Sequence, residues 1–189
     1  MNPFNTALTS RLGRILLAVM TSGYLLISPI SVATETTSSQ AIGNPPATVL
    51  VTGANRGIGL ALARTFHQHG LSVIATARKP NEALELKTIS VETLQLDITD
   101  RASIAALKSE LAGRPIDILI NNAGIKGHNT ATLEDLDIEQ LKTTFDVNSL
   151  GALRVIQALM PNLKIGSQKT VVNMSSRMGS ITDNTGGAM

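Results

Sequence analysis

Gly53, Gly57 and Gly59 fall in the segment Thr52-Gly53-Ala54-Asn55-Arg56-Gly57-Ile58-Gly59, between an apolar run and a helical pattern. The chemistry that suits this spacing is binding of a dinucleotide pyrophosphate. Such a group needs exposed backbone N–H groups and the positive end of a helix dipole, and it approaches only where no Cβ intrudes. Thr52, Asn55, Arg56 and Ile58 complete the candidate cofactor-binding turn. The spacing is Gly-x-x-x-Gly-x-Gly, not Gly-x-Gly-x-x-Gly, and a Gly-rich strand-to-helix turn without a ligand is its bland alternative.

The next candidate strand ends Thr76-Ala77-Arg78-Lys79, with no acid in reach. An acid there would accept from the ribose 2′-hydroxyl of NAD; a cation suits the 2′-phosphate of NADP. Arg78, with Arg56 from the preceding turn, favours the phosphate, which guanidinium binds bidentately. The competing reading of Arg78 and Lys79 is ordinary loop charge.

These residues need a scaffold, and the pattern supplies one. Thr48-Val49-Leu50-Val51 is a short apolar run suited to a strand buried on both faces, and Gly57 to Gly70 reads as a helix with Ile58, Leu62 and Phe66 on its core stripe. Further strands are expected at 71–77, 93–96, 116–120 and 170–174. A weak helix is expected over 80–88, and Asp100 should cap a helix with Ile104, Leu107 and Leu111 inward. Two more helices follow. One holds Ile138, Leu141 and Phe145 in register, and a longer one runs from about Asn148 to Leu163. Strand–helix alternation at this spacing predicts an α/β fold: a Rossmann-type doubly wound parallel sheet of order 3-2-1-4-5, incomplete at its C-terminal edge.

Thr52-Gly53-x-x-x-Gly57-Ile58-Gly59, Leu96-Asp97-Ile98-Thr99, Asn121-Asn122-Ala123-Gly124, Val147-Asn148 and Asn173-Met174-Ser175-Ser176 occur in that order. Together they resemble the short-chain dehydrogenase/reductase family, from about Ala47 to the end. The segment Ser176 to Ile181, followed by Asp183-Asn184-Thr185-Gly186-Gly187, looks like the branch containing C-factor and sniffer-type carbonyl reductases. The resemblance implies that Asp97 holds the adenine amino group, with Ile98 beside it among the cofactor-binding residues, and that Asn121 to Gly124 shape the sheet next to the cofactor, with Asn122 and Ala123 nearest the ribose. It implies that Asn148 orders a proton-relay water and that Ser176 hydrogen-bonds a substrate carbonyl. The family's proton donor is the Tyr of a Tyr-x-x-x-Lys motif downstream of that Ser, its pKa lowered by the Lys charge. The sole tyrosine in this sequence is Tyr24, upstream of the fold, so the 189 residues are expected to be an incomplete, inactive chain.

Residues 1–45 differ from the rest. Arg11 and Arg14 precede an apolar stretch over 15–33, with Ser31-Val32-Ala33 as a small-x-small site and Pro45-Pro46 as a boundary. A secretory signal, a membrane anchor contacting lipid through 15–33, a transit peptide, and upstream sequence absent from the working protein are the readings left open. The expected domains are therefore a leader, 1–45, and an NADP-binding domain, 46–189. The protein is exported or membrane-associated if the leader operates, and cytoplasmic otherwise.

With Cys 0 in the composition, disulfides and thiolate metal sites are excluded. Phe 3, Tyr 1 and Trp 0 give no stacking platform, and once Arg11, Arg14 and Glu35 are set aside the body is nearly neutral, so no nucleic-acid partner is expected. His67-x-His69 does not share a helix face, and no metal is expected. His128 reads as a lone loop residue, and the acids at 134–139 as a solvated helix start. The favoured function is an NADP(H)-dependent oxidoreductase acting on a small carbonyl or alcohol, with a homodimer through the helix near Asn148. A non-catalytic NADP-binding scaffold or sensor is the alternative, and an interaction module on the same fold is a third reading.

Overall fold

In the computed structural model, residues 45–127, 132, 134–176, 180 and 182 are described. The expectations about 1–44, His128, Arg177–Gly179, Ile181 and Asp183–Gly187 lie outside them. Ala47–Met189 is one compact unit. It contains β1 (Thr48–Val51), α1 (Gly57–Gln68), β2 (Ser72–Ala77), a 3-10 turn (Pro80–Glu82), α2 (Leu84–Thr88), β3 (Glu92–Gln95), α3 (Arg101–Glu110) and β4 (Ile118–Asn121). Then come α4 (Ile138–Phe145), a π turn (Asp146–Gly151), α5 (Ala152–Ile165) and β5 (Thr170–Asn173). The strands form one parallel sheet, β3-β2-β1-β4-β5, the order expected from the pattern. Among the described residues no helix is long and apolar enough to cross a membrane.

Central strands are apolar on both faces because helices cover both. Val49, Leu50, Val51, Ile74, Leu119 and Ile120 are all fully buried, and each such side chain contributes about 1.5–3 kcal/mol by leaving water. Ile104, Leu107 and Leu111 pack inward as their spacing requires, joining Val155, Leu159 and Leu163 of α5 in one core. Asp100 caps α3 by accepting from Ala102 N–H, as expected.

Two expectations are corrected, for Ile58 and for the helix start at Asn148, and the register expected of α4 holds without burial. Ile58 is 54% exposed, because the buried residues of α1 are Gly59, Leu60, Leu62, Ala63 and Phe66, a face turned away from it. Ile138, Leu141 and Phe145 do align on α4, yet they are 52%, 50% and 57% exposed, and α4 has no buried residue. The helix expected to begin at Asn148 is a continuation of α4: the helical backbone runs from Ile138 to Ile165 through the π turn. Two polar side chains tie the lower edge of the sheet. Asp117 accepts from Thr48 N–H (2.7 Å) and from the N–H and hydroxyl of Ser167 (2.6 Å each). Buried Asn162 donates to the carbonyls of Leu111 and Arg114, closing α3 against α5.

Candidate functional site

At the carboxyl ends of the strands, the β1–α1 turn is fastened on both sides. Ala54 N–H donates to Thr76 O (2.8 Å), and Thr52 Oγ1 accepts from the N–H groups of Asn122 and Ala123 (3.0 Å each). The Asn122 side chain returns the contact, donating to the carbonyls of Thr52 and Gly53. Thr52 and Asn122 thus hold the turn against β4. A Cβ on Gly53 would stand 2.9 Å from Ala123 Cα, and one on Gly59 would stand 2.5 Å from Gly53 O. These two glycines permit close backbone packing. Gly57 differs: it has φ +57°, and nothing lies within 4 Å of where its Cβ would be, so it faces open space at the start of α1.

That helix start has no side-chain cap and no acid in its first turn, and Asn55, Arg56, Gly57 and Ile58 around it are exposed. In α3 and α4, by contrast, Asp100 and Asp137 accept from first-turn N–H groups. The α1 terminus therefore keeps its amide donors and positive dipole end for an external anion.

Arg78, exposed at the end of β2, stands near Asp97, which follows β3. The Thr99 hydroxyl hydrogen-bonded to Asp97 (2.6 Å) lowers its pKa most; partial burial opposes this, and Thr99 N–H and the Arg78 charge add to the lowering. Asp97 is thus a fixed anion. Lys79, the next residue, is paired with Glu82 at 3.0 Å. Ile98, an expected cofactor contact, is 7% exposed and belongs to the core. A Cβ on Gly151 would lie 2.7 Å from its Cδ1, so the Ile98 side chain is lodged against the π turn.

The other end of the site is a cleft of 600 Å³, lined by Asn122, Ala123, Gly124, Asn148 and Ser176 among others. Asn148 is exposed on the π turn, and its amide makes a two-way bridge to one residue. Its Oδ1 accepts from Ile125 N–H and its Nδ2 donates to Ile125 O, both at 2.9 Å. It therefore fastens the segment after β4 to the helix. Gly124 gives it room, since a Cβ there would lie 3.1 Å from Asn148 Oδ1. Ser176 is exposed just beyond β5 and faces the same cleft. The structure thus brings Asn122, Ala123, Gly124, Asn148 and Ser176 together, with the β1–α1 turn joined to them through Thr52.

One pair went unnoticed in the sequence. Asn121 donates to Asn173 Oδ1 (2.9 Å) across β4 and β5, while the buried Asn121 Oδ1 has no partner among the described residues. Both are the last residue of a strand, which was the available signal, but pairing depends on register. A separate hollow of 460 Å³, lined by Arg64, His67 and Ser90 among others, lies by the C-terminal end of α1 and the start of β3. No group of three or more His, Asp or Glu able to hold a metal occurs among the described residues.

The family model for short chain dehydrogenase matches residues 47–188. An NADPH-dependent 1-acyldihydroxyacetone phosphate reductase of Schizosaccharomyces pombe is 39% identical over 132 residues, covering 68% of this chain and 44% of that enzyme. The crystal structure of a carbonyl reductase from Pseudomonas aeruginosa in complex with NADP is similar at a TM-score of 0.67 and 31% identity, covering 76% of this chain and 67% of that one. A protein assigned as the carbonyl reductase Sniffer of Caenorhabditis elegans has a TM-score of 0.65 and 35% identity over 74% of this chain and 66% of its own. The chain spans about half the length of the curated relatives it matches.

Proposed function

The chain belongs to the short chain dehydrogenase family, and on that premise we propose that it binds NADP(H) and serves an oxidoreductase acting on a small carbonyl or alcohol. The observation that carries this is the uncapped, acid-free N-terminus of α1, with Gly57 open before it, where α3 and α4 are capped by Asp100 and Asp137. A pyrophosphate supplies the acceptors those amides lack. Arg78 and Arg56 fit the 2′-phosphate, Asp97 the adenine amine, and Asn122, Ala123 and Gly124 the ribose beside the cleft. The S. pombe relative is NADPH-dependent by name and the P. aeruginosa structure holds NADP, which supports the same cofactor.

When bound, NADPH would supply the hydride. In the cleft Ser176 holds the substrate carbonyl through its hydroxyl, and Asn148 orders a relay water from within the π turn. Reduction of a carbonyl also needs a proton for the oxygen. Residues 47–189 contain no tyrosine, and the family resemblance gives this role to the Tyr of a Tyr-x-x-x-Lys motif, which these residues do not contain. These residues by themselves are expected to bind NADPH without turning over a carbonyl.

We keep the homodimer on the helical run that contains Asn148; the exposed apolar residues Ile138, Leu141 and Phe145 at its start support this reading. We keep 1–45 as a leader that exports or anchors the protein and 46–189 as the NADP-binding domain; fractionation of cells expressing the chain with and without 1–45 tests that division.

The deciding experiment for the cofactor is fluorescence titration of the intact chain with NADPH and NADH. Tight NADPH binding and weaker NADH binding are expected. Arg78→Asp with Arg56→Ala should lose tenfold or more in NADPH affinity, since hydrogen bonds to charged groups are worth about 1.5–3 kcal/mol, while NADH is little affected. An unchanged preference would remove the 2′-phosphate assignment, and no binding of either would remove the reading.

A further inference from the structure

Two separate sets of hydrogen bonds place Asp97 and leave one of its oxygens unused. Oδ1 accepts from Thr99 N–H (2.9 Å) and from the Thr99 hydroxyl (2.6 Å), while Oδ2 has no hydrogen-bond partner among the described residues. The main chain is held independently: Asp97 N–H donates to Ser103 Oγ at 2.8 Å. The Ser103 hydroxyl in turn donates to Gln95 Oε1 at 2.9 Å. Ser103 is 6% exposed in the first turn of α3. It is not the cap of that helix, because Asp100 accepts from Ala102 N–H there. It adds little to the apolar face, which Ile104 and Leu107 make. What its hydroxyl does is bridge the last residue of β3 to the peptide of Asp97.

We propose that Ser103, oriented by Gln95, is a positioning residue for adenine selectivity: it holds Asp97 so that Oδ2 receives the exocyclic amine of the cofactor's adenine. The proposal rests on the cofactor reading above. Removing the hydroxyl leaves Asp97 N–H, on a half-buried peptide, without an acceptor. Such a group turns toward water to recover one, and the carboxylate moves with it. Thr99 cannot prevent this, because it follows Asp97 in the same turn and shifts along with it.

The test titrates the intact chain with two probes, NADPH and its deaminated analogue, in which hypoxanthine replaces adenine and the exocyclic amine is gone. The unaltered chain should prefer NADPH about tenfold, the lower end for a hydrogen bond to a charged group. Ser103→Ala should reduce that preference to less than about threefold while leaving affinity for the analogue nearly unchanged. Ser103→Thr, which keeps the hydroxyl, should restore it. Gln95→Leu, on the exposed side of β3, should give an intermediate preference and decides the matter if Ser103→Ala does not fold. A full preference in these variants overturns the proposal and leaves the cofactor reading standing. So does an equal loss of affinity for both probes, which is what a merely structural serine would give. An unaltered chain that binds both probes equally overturns it as well, and one that binds neither overturns the cofactor reading beneath it.

Discussion

Among single residues, the three glycines of the β1–α1 turn carry different burdens although the sequence presents them alike. Gly59 has no room: a Cβ would press on Gly53 O at 2.5 Å and on the Asn122 amide that holds the turn. Gly57 has room but a left-handed φ of +57°. Gly59→Ala should therefore cost about 3 kcal/mol or more, as overpacking against backbone does. Gly57→Ala should cost about 1–2 kcal/mol from backbone strain and should weaken NADPH binding more than its stability loss explains. Urea denaturation of the intact chain beside NADPH titration separates the two. Equal stability losses would mean that the glycines are interchangeable. Ile58 carries the opposite lesson. Its apolar character suggested a core position, but a residue at the first turn of α1, turned away from the buried face, is left at the surface.

Among the elements, the helix through the π turn decides most. A π turn adds one residue, so positions eight apart across it align as positions seven apart do in an α-helix. Asp146 and Arg154 accordingly meet at 2.6 Å, and the exposed Phe145 and Leu153 are spaced to share a stripe with Ile138 and Leu141. The same turn presents Asn148 to Ile125 and seats Gly151 on Ile98. Leu141→Glu with Phe145→Glu should alter the stability of the chain by no more than about 0.5 kcal/mol, as surface changes do, and should abolish self-association in sedimentation velocity runs. A double variant that still associates would exclude this stripe as the contact between copies.

For the molecule as a whole, Asp117 joins three segments distant in sequence: the start of β1, the start of β4 and the loop before β5. Burial by itself would raise its pKa. The hydrogen bonds from the Ser167 hydroxyl and from the N–H groups of Thr48, Ser167 and Gln168 outweigh that and hold it below the ordinary value. A folded pKa below the unfolded value near 3.9 means that this stabilisation is complete above about pH 5 and is lost as pH falls through the folded value. Asp117→Asn should cost about 1–3 kcal/mol at neutral pH, and its melting temperature should fall less between pH 5 and pH 3 than that of the unaltered chain. Parallel pH profiles would show that the acid sensitivity lies elsewhere.

Strand order and core were legible because both follow from local rules. Short apolar runs alternating with 3.6-residue stripes leave a parallel, doubly wound sheet as the solution, and the order β3-β2-β1-β4-β5 follows. The Gly-rich turn was legible for the same reason, since a strand, a turn and a helix start are contiguous in the chain. What the sequence by itself determined is this frame and the residue types at its upper edge. Tertiary structure decided the division of labour among them. It decided that Thr52 and Asn122 brace the turn, that Ile98 packs in the core while Thr99 holds the half-buried Asp97, and that Asn148 serves Ile125. It also left the aligned apolar stripe of α4 uncovered. Each of these depends on which side chains meet across 20 to 70 residues of chain, and periodicity within one element carries no record of what stands opposite it.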